Sequence, residues 1–168
     1  MKLSSEQRKK LLAKREQLQR KIAQNEQAFF IQELLFEFDS NAIEYEIVWP
    51  DYKTSEVKIS KWLREKFSIT SWGRIDSHHI TMIKKCEVIS SCEKLLGEII
   101  EKQRLGNPVV TLIWTNAHRP GIQLKLCDVV KNVEIIFEQD WDTWIVCSEN
   151  QWCIEYHHDG ELSYGSCV

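Results

Sequence analysis

The chain has 168 residues, 43% of them apolar and 28% charged, with a formal net charge of -3. That is one domain's length with enough apolar material for a core, while six Gly, three Pro and seventeen aromatic side chains (seven Trp, six Phe, four Tyr) exclude a linker-like or wholly disordered chain. No apolar run approaches the roughly 20 residues of a membrane-spanning helix, and residues 1–21 are charged throughout, unlike a secretory signal, so a single cytoplasmic domain over residues 1–168 is expected, with no membrane partner.

A long helix is expected over 1–38. Ser4 and Gln7 make a capping box, each side chain satisfying a backbone amide of the other. Leu11, Leu18, Ile22, Phe29 and Phe36 recur at helical spacings. Phe29, Phe30, Ile31, Leu34, Leu35, Phe36 and Phe38 make the second half apolar nearly all round, so that half is expected in the core and the basic first half at the surface. Asp39-Ser40-Asn41 ends the helix. Ala42 to Trp49 reads as a strand closed by Pro50-Asp51. Ser55 is placed to cap a short helix through Phe67, and His79 to Lys84 reads as a strand. Ser90 with Glu93 forms a second capping box, opening a helix that stops at Gly106-Asn107-Pro108.

Pro108 to Thr115 is a strand of the kind buried on both faces. Ile122 to Leu126 alternates, and Asp128 is placed to cap a helix through Phe137. Residues 140–165 read as a β-meander of Thr143 to Cys147, Gln151 to His157 and Glu161 to Tyr164. The Asp159-Gly160 pair is a strong hairpin signal. The sum is an α+β fold: a long amino-terminal helix, a mixed central sheet with flanking helices, and a carboxy-terminal antiparallel meander.

The motifs of chemistry are missing. There is no G-x-S-x-G, no Walker loop and no G-x-G-x-x-G. The six Cys (Cys86, Cys92, Cys127, Cys147, Cys153, Cys167) contain no C-x-x-C pair and read as reduced thiols, four of them inside apolar runs. His157 and His158 are adjacent, so within a strand they point to opposite faces; Cys153 shares a face with His157, and Cys147 can approach from the neighbouring strand. Close Cys or His pairs of the zinc type are absent, and neither a metal, a cofactor nor a catalytic residue is expected.

Charge is segregated along the chain. Residues 2–21 carry eight basic side chains against Glu6 and Glu16, residues 22–60 eight acidic against Lys53 and Lys58, and residues 128–168 nine acidic against Lys131 alone. The basic helix reads as a solvated face, because its charges recur all round it and no nucleic-acid recognition motif accompanies it. The acidic end repels nucleic acid and attracts a basic protein. There Trp141 and Tyr156 are interleaved with Asp140, Asp142, Glu149, Glu155, Asp159 and Glu161, and His158 adjoins them; aromatics anchor interfaces and an acidic field speeds capture of a basic partner.

The run Asp140-Trp141-Asp142-Thr143-Trp144-Ile145-Val146, followed by Trp152 to Leu162 (WCIEYHHDGEL), resembles the closing meander of bacterial immunity proteins, the cytoplasmic antidotes of polymorphic or contact-dependent growth inhibition toxins. The resemblance implies a non-enzymatic protein that binds its cognate toxin stoichiometrically and occludes the active site, and, since many such toxins are basic nucleases, a basic nuclease domain as partner. Asp140, Trp141, Asp142, Glu149, Glu155, Tyr156, His158, Asp159 and Glu161 are the expected contact residues. Two other readings compete: an accessory protein that holds nucleic acid through the basic helix, and a small Cys/His enzyme.

Overall fold

A computed structural model describes residues 4–54, 56–71 and 73–167. The elements, in order, are α1 (Ser5–Ala28), a 3₁₀ turn (Phe29–Ile31), α2 (Gln32–Ser40), β1 (Glu46–Val48), α3 (Lys58–Phe67), β2 (Ile80–Lys85), α4 (Cys92–Gln103), β3 (Val109–Trp114), β4 (Gly121–Lys125), α5 (Leu126–Lys131), α6 (Val133–Phe137), β5 (Thr143–Cys147), β6 (Trp152–His157) and β7 (Glu161–Ser166). The strands form one sheet in the order β1-β4-β3-β5-β6-β7-β2. The α+β class holds, but every pairing is antiparallel, so the sheet is not mixed.

Both faces of the sheet centre are covered. The larger core lies on the side of α2, α4, α5 and α6, where Phe38, Leu96, Val129 and Phe137 meet Leu112, Ile145, Ile154 and Leu162. On the other side α3 brings Leu63 and Phe67 onto Ile113, Trp144, Val146 and Cys153. This is why β3 is buried on alternate and intervening positions alike: each face has its own layer.

The capping box of Ser4 and Gln7 is formed. The second is not: α4 starts only at Cys92, and Ser91 turns its hydroxyl back to the Val88 carbonyl. Asp128 does not cap the helix after β4 either. That helix starts earlier, at Leu126, directly off the strand, and breaks at Asn132 into α5 and α6. Ser55 lies outside the described residues.

The largest departure concerns the amino-terminal helix. Gln27, Ile31, Leu34 and Phe38 are the buried stripe, spaced four, three and four apart. The stripe through Leu11, Leu18, Ile22, Phe29 and Phe36 lies on the other side and is exposed, Phe29 by 77% and Phe36 by 68%. Of the four phenylalanines expected in the core, only Phe38 is deeply buried. One helix can bury only the face that meets the sheet, and spacing alone does not say which face that is. From Ser4 onward the basic first half is exposed as expected, Lys2 lying outside the described residues; its holds on the body include Arg20 over the Tyr52 ring and an ion pair of Glu16 with Lys53.

Candidate functional site

The β5–β6 register pairs Thr143 with Tyr156, which sets the residue before β5 beside the turn after β6. Asp142, His157, His158 and Asp159 therefore gather at one end of the meander. Asp142 Oδ1 accepts the His158 backbone N–H at 3.1 Å and lies 3.0 Å from His158 Nδ1. His157 turns Nδ1 to Asp159 Oδ1 at 2.9 Å and Nε2 toward Asp142 Oδ1 at 3.8 Å. The hydrogen bond from His157 holds the Asp159 carboxyl below its usual range. The two imidazoles do not diverge to opposite faces: β6 ends at His157, and the turn swings His158 back, leaving the ring centroids 4.1 Å apart.

Above this cluster stands Trp141, 70% exposed, its ring edge-on to His158 at 5.0 Å between centroids. Asp140 anchors the loop beneath it, accepting the Asn116 amide at 2.7 Å and the Trp141 amide at 2.9 Å. Trp141, His158 and Asp159 thus form an accessible group, with Asp140 half-buried beside it and Asp142 buried under it. Glu149 is exposed but sits in the β5–β6 turn, at the far end of the strands.

Asp142, Glu155 and Tyr156 are buried rather than surface residues, and this corrects their expected role as contacts. Tyr156 faces the larger core and stacks on Phe137, ring centroids 4.1 Å apart. Glu155 faces the α3 side with no exposed area. It accepts from Trp144 Nε1 at 3.2 Å and the Ile75 amide at 3.4 Å, with Arg74 Nε at 3.7 Å. A turn closed between Thr70 and Arg74 aims that arginine at the sheet, where it also pairs with the half-buried Glu161. Burial raises the Glu155 carboxyl to about 7 despite Arg74.

A second surface feature was not legible as one. Phe29, Phe30 and Phe36 line an open groove of about 960 Å³ with Glu33, Glu37 and Glu138. Its wall, Glu138-Gln139, runs straight on into Asp140 and Trp141. On the α3 side a separate cavity of about 430 Å³ lies over Ile113 and Trp144, with Arg64 and Arg119 at its rim. Arg64 is paired with Glu56, and Arg119 bonds Gln139 at 2.8 Å.

The thiols do not converge on the histidines. Val146 pairs with Cys153 and Cys147 with Trp152, so Cys147 and Cys153 point to opposite faces. Cys86 and Cys92 lie together in the larger core, their sulfurs 2.6 Å apart. Burial pushes the Cys92 and Cys153 thiols up, opposite to the shift an activated nucleophile needs.

The exposed aromatics and carboxylates thus lie on an open surface at the edge of an antiparallel α+β scaffold. Among the described residues no helix is long and apolar enough to cross a membrane. The family model of the CdiI immunity protein, EcoliA0-like, matches residues 44–165, well over half of the chain, and the chain belongs to that family of toxin-neutralising immunity proteins. The match begins after α2, so the basic helix and the phenylalanine side of the groove lie outside it. Comparison with curated proteins and with solved structures returns no match.

Proposed function

We propose that this protein acts in the cytoplasm, without chemistry of its own, by binding one cognate toxin and covering its active site, and that the toxin is a basic nuclease. The observation that carries this reading is the exposed Trp141 set among Asp140, Asp159 and His158, continuous along the chain with the acidic groove of Glu33, Glu37 and Glu138. An exposed indole supplies an anchor that a partner's pocket desolvates. The surrounding carboxylates mimic the charge of a nucleic-acid backbone and steer a basic domain onto it. Asp142 holds His158, and through it Trp141, in place.

The test is to isolate the toxin bound to this protein, weigh the complex by native mass spectrometry and titrate the toxin's activity on nucleic acid. Complete inhibition at one equivalent in a 1:1 complex supports the reading. Inhibition by far less than one equivalent contradicts stoichiometric occlusion and points to an enzyme; a toxin without activity on nucleic acid overturns the nuclease assignment.

A further inference from the structure

We infer that Asp142, His157 and His158 form a site for one divalent transition-metal ion of the zinc class. Each offers a ligand atom, and the three atoms lie within 4.8 Å of one another. An ion bound at 2.0–2.1 Å in tetrahedral geometry sets its ligands about 3.3 Å apart. Asp142 Oδ1 stands 3.0 Å from His158 Nδ1 and 3.8 Å from His157 Nε2, so both carboxylate–imidazole separations are within about half an ångström of that value, and the three ligand atoms together span no more than 4.8 Å.

The surroundings support the same assignment. Histidines that bind metals usually donate their second ring N–H to a carboxylate or carbonyl, which fixes the ring and frees the other nitrogen's lone pair. His157 has that partner: Asp159 Oδ1 lies 2.9 Å from Nδ1 and leaves Nε2 facing Asp142. Asp142 is fixed in turn by the His158 backbone amide. The backbone supplies the convergence, since the strand end and the turn present adjacent histidines to one carboxylate. His158 is exposed on its outer side, leaving room for a fourth ligand from solvent. Two imidazoles and one carboxylate suit zinc, cobalt, nickel or copper, whereas magnesium and calcium favour oxygen-rich ligand sets. The site stands independently of the toxin-binding reading.

The experiment uses untagged full-length protein, stripped with a chelator and titrated with Zn²⁺ by calorimetry and with Ni²⁺ by tryptophan fluorescence. One equivalent of Zn²⁺ is expected to bind and raise the thermal midpoint. Ni²⁺ is expected to quench emission, because the Trp141 ring lies 5.0 Å from that of His158. Asp142→Asn and His158→Gln should each weaken binding by about tenfold or more, while Trp141→Phe should remove most of the quenching and keep the stoichiometry. Should Asp142→Asn fail to fold, His158→Gln, at an exposed position, still decides. Absence of a one-equivalent step in the intact protein overturns the assignment, and so does a step that His158→Gln leaves unchanged, since the thiols would then be the ligands.

Discussion

The indole of Trp144 donates to the carboxylate of Glu155 at 3.2 Å, directly across the β5–β6 ladder on the face that α3 covers. The bond sits where the acidic meander was expected to meet solvent, and it makes Glu155 a titrating group inside the fold. Burial raises its carboxyl to about 7, against about 4.3 in an unfolded chain. The folded state therefore keeps a proton that the unfolded state has lost. The stabilisation from this group is full below about pH 4.3 and disappears as pH rises through about 7. At about 1.4 kcal/mol per pH unit, the difference amounts to roughly 4 kcal/mol. Chemical denaturation at pH 5 and pH 8 should show the wild type losing more stability than Glu155→Gln over that interval; equal losses would contradict the assignment.

Phe36 and Phe38 separate the two faces of α2. Phe38 has no exposed area and Phe36 is mostly in solvent. Phe38→Ala should cost about 3–5 kcal/mol, and Phe36→Ala should stay within about 0.5 kcal/mol. Urea melts of the two variants check this, and a large loss at Phe36 would mean that this face is covered in solution.

That contrast shows why some of the fold was legible and some was not. The Ser4 capping box, the Asp159-Gly160 turn and the three strands of the meander are local signals, and the structure has all three; both faces of those strands are buried, which a pattern of alternating residues does not announce. The meander's texture also carried the family resemblance. Burial depends on what packs opposite. Glu155 is interior because α3 covers a face that an isolated hairpin leaves wet, and because Arg74, far away in sequence, reaches it. Phe29 and Phe36 are exposed because the sheet meets the stripe of Ile31, Leu34 and Phe38 instead. His157 and His158 meet because the strand ends between them, and boundaries of that fineness are weakly encoded in residue patterns. Of the expected contacts, Trp141, His158 and Asp159 share one accessible surface, while Glu149 is exposed at a distance.

Gly160 takes φ +86°, and a Cβ there would stand 2.5 Å from the Cys86 carbonyl oxygen. The same approach lets the Cys86 amide donate to the Gly160 carbonyl at 2.7 Å. Gly160→Ala meets both a left-handed backbone and a backbone clash, so a destabilisation of about 1–3 kcal/mol is expected. Thermal unfolding measures it; a variant as stable as the wild type would show that the turn can rearrange.

At the accessible edge, Trp141→Ala should raise the dissociation rate of the toxin complex by about tenfold or more, the range of an interface anchor. Asp159→Lys should instead slow association at low salt and approach the wild type at high salt, where the field is screened. Stopped-flow or surface-based kinetics at two ionic strengths distinguish the effects. An association rate unchanged at low salt removes Asp159 from the docking surface.

Thiol labelling reads the two cores directly. Cys127 and Cys167 are partly exposed, whereas Cys86, Cys92, Cys147 and Cys153 are buried. Cys167 also donates to the Lys66 carbonyl, and burial raises its thiol. Native protein treated with a disulfide reagent should therefore release about two equivalents, Cys127 faster than Cys167, with the other four appearing only on denaturation. Rapid release of all six would contradict the packing on both faces.

The place of β7 has a consequence for how the chain comes to be folded as it is made. β7 lies between β6 and β2, and among the described residues β2 pairs with no other strand. A nascent chain has thus made β2 roughly eighty residues before its partner emerges, and Ile80 to Lys85 must wait with open hydrogen-bonding edges while β3 to β6 assemble. The sheet is completed late and over a long loop, a slow kind of closure. Loss of residues 161–166 would therefore do more than trim an edge: it would leave β2 with nothing to join and uncover the cores on both sides at once.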